Sequence, residues 1–243
     1  MSAETDCKTP LRLHLVRVSP CCRMIWLYAL QFSAARKVVG ETGKEVVLRR
    51  TLAFGSQYGI GVFCLTEAGE QQIGWVTEKD PIAILRYFAQ KYTDFAGWGK
   101  TSEDRYRVHS VLDWASSKLL DVLGYKYVYP QLLERYHLPN EAATEELVDK
   151  GLSEASELLE ALENYYLGDN PFLCGSELTV ADSYVATILC QAEWVDFDFK
   201  LWPRLWEWLT RVKGQEHWRE VHSTHDEFLQ KLKKDHSIES DSS

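Results

Sequence analysis

"PFLCGSELTVADSYVA", residues 171–186, is the stretch whose reading decides the fold. Thr179 and Asp182 are spaced as a capping box, in which a Thr hydroxyl accepts the N–H three residues on and an Asp reaches back to the N–H of the cap. Leu178, just before the cap, is placed to staple against the next turn. The segment that follows is rich in apolar side chains, the pattern of a helix buried on most sides. A turn closing on a capped, buried helix is therefore predicted here, at the centre of a helical domain.

Reading outward, helical periodicity covers about 102–136, 142–168, 179–195, 201–213 and 223–234. "YHLPNEA", "LGDNPFLCG" and "VDFDFKLWP" break these segments, and the polar tail "KKDHSIESDSS" is expected to fray. Upstream, "TDFAGWGKTSED" (93–104) is polar and glycine-bearing and reads as a linker. Before it strands and helices alternate. "LRLHLV" places Leu11, Leu13 and Leu15 on one face, a helix covers about 22–34, and "EVVLRR", "GVFCLTE" and "QQIGWVTE" read as strands. A further helix opens at Asp80-Pro81, with Asp suited to the cap and Pro to the first turn. The order βα, strand, ββα predicts a parallel unit followed by an antiparallel hairpin, the layout of a thioredoxin-like domain. The expected architecture is α/β plus all-α: a thioredoxin-like domain over 11–92 and a helical domain over 101–232.

The formal net charge of −9 and 45% hydrophobic content suit a folded, acidic chain. Nucleic acid and anionic membrane surfaces are excluded as partners on electrostatic grounds, because both would be repelled over most of the surface. No apolar run is long enough to span a bilayer and the N-terminal residues lack a secretory pattern, so a soluble, cytoplasmic protein is expected. The six cysteines have scattered spacing and read as reduced thiols. His217, His222 and His225 read as chance histidines on a helical surface, and no metal is assigned.

"VRVSPCCRMIWLYAL" (16–30) carries the candidate chemistry. It turns at Ser19-Pro20 from strand into helix, and on turn statistics alone Ser19 is a cap or turn hydroxyl. Ser19-Pro20-Cys21-Cys22 replaces the Cys-x-x-Cys of redox folds, which excludes a dithiol of that spacing.

"FLCG" followed by the Thr179/Asp182 box resembles the folding signature of cytosolic glutathione transferases. The Ser19, Cys22 and Arg23 turn is similar to the catalytic serine turn of their theta-type members. "PIAILRYFAQKY", "DRYRVHSVLDW", "RLWEWLTRV" and "EHWREVH" resemble later helices of the same superfamily. The resemblance implies glutathione as co-substrate, a small electrophile as partner, a homodimer and a role in detoxification. It also implies Ser19 as thiolate stabiliser, with Arg23 and Arg107 as electrostatic support; for Arg23 a surface or interface salt bridge is the alternative. Gln57, Val62 and Asp80 are the implied glutathione contacts. Trp114, Trp194, Trp206 and Trp208 are either core residues or the lining of an electrophile pocket.

The sequence departs from the family at several of these places. Phe63 stands where the family has a cis-proline, so a trans Val62–Phe63 bond is expected. Pro81 stands where a serine hydroxyl and N–H bind the γ-glutamyl carboxylate, and Pro has neither donor. His109 replaces an acidic residue. Two functions follow: a serine-type, theta-like glutathione transferase, or a non-catalytic transferase-like interaction module that has lost glutathione.

Overall fold

The computed structural model describes residues 11–15, 19–32, 47–50, 62–66, 71–76 and 81–240. The chain divides into two units, 1–96 and 97–243.

In the first unit, β1 (Leu11–Leu15) leads to α1 (Pro20–Gln31), β2 (Val47–Arg50), β3 (Val62–Thr66), β4 (Gln71–Val76) and α2 (Pro81–Phe88). The sheet order is β2-β1-β3-β4. β2 runs parallel to β1, with Leu13 opposite Leu48, while β3 is antiparallel to both β1 and β4. This is the α/β layout predicted from the element order. Helix α1 starts where Ser19 caps it and Pro20 takes the first turn, since a proline there forfeits only an N–H with no helical partner. Its residues 20–29 are all buried, which makes α1 the core helix of the unit. Helix α2 continues as a wide π-type turn over Ala89–Thr93.

The second unit is helical throughout. α3 (Ser102–Trp114) opens on a capping box between Thr101 and Asp104. One continuous helix was expected over 102–136. Instead, α3 widens into π-type turns over Ala115–Val128, followed by a short turn at Tyr129–Leu132. The buried pairs Leu119-Leu120, Leu123-Gly124 and Tyr127-Val128 recur every four residues, a period wider than the 3.6 of an α-helix. α4 (Glu141–Ala161) crosses this segment at Gly151, where a Cβ would come within 2.8 Å of the Lys126 carbonyl carbon. Only a glycine permits that approach.

α5 (Val180–Leu189) is buried along its whole length, and α6 (Pro203–Lys213) and α7 (Trp218–Ser240) complete the unit. α7 begins before the expected 223 because Trp218, Val221 and His222 extend its buried face, and it runs into the tail expected to fray. The segment read as a linker is also held down: Trp98 is buried, and the Gly97 carbonyl accepts the otherwise unpaired Val180 N–H at the start of α5. α6 is capped by a neighbour, since Glu163, in the wide turn over Leu162–Leu167 that follows α4, accepts the Leu205 N–H at 3.0 Å.

Asp182 holds these pieces together. Its Oδ1 accepts from Leu173 N at 2.8 Å and Trp208 Nε1 at 2.9 Å, and its Oδ2 from Thr179 N at 2.9 Å and Thr179 Oγ1 at 2.8 Å. Burial pushes the carboxyl upward from the ordinary aspartate range, and the four donors oppose that push. Asp182→Ala should strand the Leu173 and Thr179 N–H groups and the Trp208 indole without an acceptor, a loss of roughly 3 kcal/mol or more. Thr179→Val should cost about 1 kcal/mol. Urea unfolding checks both, and equal midpoints for Asp182→Ala and wild type would contradict the network.

Candidate functional site

The backbone gathers the candidate residues of the first unit before any side chain is considered. β1 and β4 are each antiparallel to β3 and so run the same way. The carboxyl ends of β1 and β4 and the first residues of β3 therefore share one edge of the sheet. Ser19 follows β1 at that edge, Pro81 follows β4, and Val62 and Phe63 open β3, opposite Val76 and Trp75. α1 follows β1 and α2 follows β4 in the chain, and the partial positive charge of a helix N-terminus suits it to an anion. Gln57 and Asp80 lie outside the described residues. The described backbone contains no cis peptide, so Val62–Phe63 is trans as expected.

Ser19 has extended backbone angles, φ −69° and ψ 129°, and its hydroxyl oxygen accepts the Cys22 N–H at 3.5 Å. A cap uses a lone pair of the hydroxyl and leaves its proton to donate elsewhere. Among the described residues no acceptor takes that proton. The first turn of α1 carries no acidic side chain of its own to offset the positive end of the helix. Cap and donor are thus compatible roles of one hydroxyl.

Arg23 is fully buried in the next turn of α1, so it does not lie on the open surface of the unit. A guanidinium stays charged even there, so it contributes fixed positive charge to the start of α1. Cys21 and Cys22 are buried as well, which disfavours either as an open thiol nucleophile. Pro81 is buried at the first position of α2 and offers no N–H.

Arg107 belongs to the second unit and lies exposed on α3. His109, on the same helix, packs against Trp98 with ring centroids 4.9 Å apart. Of the four tryptophans, Trp208 is fully buried and bonded to Asp182, and Trp194 is buried against His225 and Phe228. Trp114 packs on Tyr166, while Trp206 is half exposed and stacks on Phe199. The reading of His222 and His225 as surface residues is corrected: both are buried, His222 stacked on Trp218 and His225 with Nε2 3.6 Å from Glu193. Burial alone would push the Glu193 carboxyl up, but the hydrogen bond from His225 and the Lys213 charge outweigh it and hold it below the usual range. Among the described residues no group of three His, Cys, Asp or Glu side chains could hold a metal ion. A groove of about 540 Å³ runs beside Pro130, Leu138, Pro139 and Val148 and contains none of the candidate residues.

Sequence reasoning missed one polar cluster in the first unit. The Tyr28 hydroxyl lies 2.7 Å from Thr93 Oγ1 and donates to the Ala96 carbonyl at 2.8 Å, and Thr93 Oγ1 reaches the Ala89 carbonyl at 3.0 Å. The available signal was a single tyrosine in an otherwise apolar core helix, whose hydroxyl must find a partner when buried.

The glutathione S-transferase C-terminal domain model matches residues 126–216. Human glutathione S-transferase theta-2B is 29% identical over 225 residues, covering 88% of this chain and 86% of that protein. Human theta-2 in complex with glutathione and an unknown ligand superposes with a TM-score of 0.67 at 24% identity, covering 92% of this chain and 89% of that one. A human theta-class transferase in complex with the glutathione conjugate of 1-menaphthyl sulfate gives a TM-score of 0.67 at 23% identity over 93% of this chain and 89% of that one.

Cys174, on the loop before Thr179, tests the electrostatics of the helical unit. Burial, and behind it the Asp182 charge, push its thiol up to about 12. At pH 8 its thiolate fraction should be far below that of a free cysteine, whose pKa is about 8.5, so alkylation should be at least roughly 100-fold slower. Mass-spectrometric mapping of alkylated sites in the folded protein measures this, and labelling at the free-cysteine rate would overturn it.

Proposed function

Because the chain belongs to the cytosolic glutathione transferase superfamily and is theta-like, we propose that it joins the thiol sulfur of glutathione to small electrophiles. The observation that carries the proposal is Ser19: a buried hydroxyl capping α1, its proton taken by no acceptor among the described residues, at a helix whose first turn carries no acidic side chain. A thiol of pKa about 8.5 is mostly protonated near neutrality. A hydroxyl donating to sulfur stabilises the thiolate, and the helix end and the fixed Arg23 charge act in the same direction. The thiolate then attacks the electrophilic carbon; a carbon–sulfur bond forms while the leaving group departs with the pair of the bond that breaks.

In this reading Val62 and Phe63 offer backbone at the start of β3 to the peptide part of glutathione, joined by Gln57, Asp80 and Pro81. The human relative bound to a menaphthyl sulfate conjugate supports an apolar carbon bearing an anionic leaving group as the electrophile class. The active protein is proposed to be a cytoplasmic homodimer; no described helix is long and apolar enough to cross a membrane. Pro81 favours the second reading, a transferase-like interaction module without glutathione, because α2 begins on a residue that cannot donate to a carboxylate.

Ser19→Ala decides between donor and cap. Loss of the cap should lower stability by about 1 kcal/mol in either case. Loss of the donor should in addition raise the pKa of the bound thiol and reduce turnover roughly 10- to 1,000-fold. Ser19→Thr, which keeps both functions of the hydroxyl, should retain both. Thiolate absorbance and conjugation rates read the outcome, and an effect confined to stability would reduce Ser19 to a turn residue. Wild type that neither binds immobilised glutathione nor gains binding in Pro81→Ser would favour the module.

A further inference from the structure

We propose that Tyr28 is a positioning residue that sets the spacing between the two helix N-termini of the glutathione site. The proposal rests on the reading of that site given above. α1 carries Ser19 at its start and Tyr28 near its end, and α2 carries Pro81 at its start and leads into Thr93 and Ala96. The cluster of Tyr28, Thr93, Ala89 and Ala96 therefore ties the far ends of the two helices whose near ends flank the site. The Tyr28–Thr93 and Thr93–Ala89 contacts are buried, which shields them from water, and the bond to Ala96 is partly buried.

The backbone beside it carries an independent sign of constraint. Asp94 and Phe95 are consecutive non-glycine residues in the left-handed region, with φ of 48° and 56°. Such conformations persist only where the surroundings over-determine them. The turn they make brings the Ala96 carbonyl to the Tyr28 hydroxyl, while the Ala96 and Phe95 N–H groups close on Thr93 and Ala89. α1 has 12 residues, roughly 18 Å at about 1.5 Å per residue. A rod of that length pinned at its far end transmits a small change there to the position of Ser19. Misplacement by about 1 Å at a reacting group can cost about 100-fold, so the tie governs how much of the population is competent to bind.

Releasing the tie lowers the competent fraction without altering the competent state. Apparent affinity then falls by that fraction, while the properties of the bound complex stay as they were. Tyr28→Phe removes the hydroxyl alone; Thr93→Val removes the second hydroxyl, and Thr93→Ser restores it. In the free protein, amide exchange at Cys22 and Arg23, the first bonded N–H groups of α1, should accelerate about five- to tenfold in Tyr28→Phe and Thr93→Val but not in Thr93→Ser. With glutathione, KM should rise about five- to tenfold while kcat and the thiol pKa at saturation stay at the wild-type values.

A merely structural role would lower the urea midpoint and leave exchange in the first turn of α1 and the KM of the folded fraction unchanged, and that result overturns the proposal. A shifted thiol pKa at saturation also overturns it, since Tyr28 would then act on the sulfur itself. If exchange accelerates as expected but wild-type protein binds no glutathione, the tie stands and the reading of the site falls.

Discussion

A single carboxylate, Asp182, is the constraint on which the helical unit depends. Four donors from three separate segments converge on it: the 171–175 loop, the start of α5 and the Trp208 indole of α6. Each donor is buried and would be costly to leave without an acceptor, so the segments can come together in only one arrangement. The sequence motif at Thr179 and Asp182 is a local helix cap in its spacing. In the folded chain it is a long-range junction, and its local and distant roles use the same two oxygens.

The first unit reaches its chemistry by a different route. There the direction of three strands, rather than a shared ligand, brings Ser19, Val62 and Pro81 to one edge of a sheet. The arrangement comes from backbone topology alone and needs no particular side chain at Phe63 or Pro81 to exist. Ser19 brings a hydroxyl to the start of α1, whereas Pro81 offers neither N–H nor hydroxyl at the start of α2.

The features legible in the sequence were those written in neighbouring residues. The Thr179/Asp182 box, the Ser19-Pro20 helix start, the period-two strands and the breaks between helices all depend on spacings of a few residues. Those that escaped depend on distances the chain closes later. His222 is the exception: it stacks on Trp218 one turn earlier, a local signal that went unread, whereas the burial of His225 comes from Trp194 and Glu193, which are distant in the chain. Tyr28 meets Thr93 across most of the first unit. Arg23, read as either electrostatic support or a surface or interface salt bridge, is buried by packing that no run of sequence displays. The segment read as a linker does span the boundary between the two units, but its sequence does not reveal that the Gly97 carbonyl accepts the Val180 N–H and the Ala96 carbonyl receives Tyr28.

The π-type turns over Ala115–Val128 have a consequence for how the chain tolerates changes in length. Each such bond spans five residues where an α-type bond spans four, so the segment stores surplus backbone inside a continuous helix. A one-residue deletion there can be absorbed as one wide turn tightens, leaving the helical phase on either side intact. The same deletion in α4 would rotate every later side chain by about 100° and swing Gly151 or its partners out of their close crossing. Homologous chains of unequal length should therefore differ by single residues within this stretch more readily than within the helices around it.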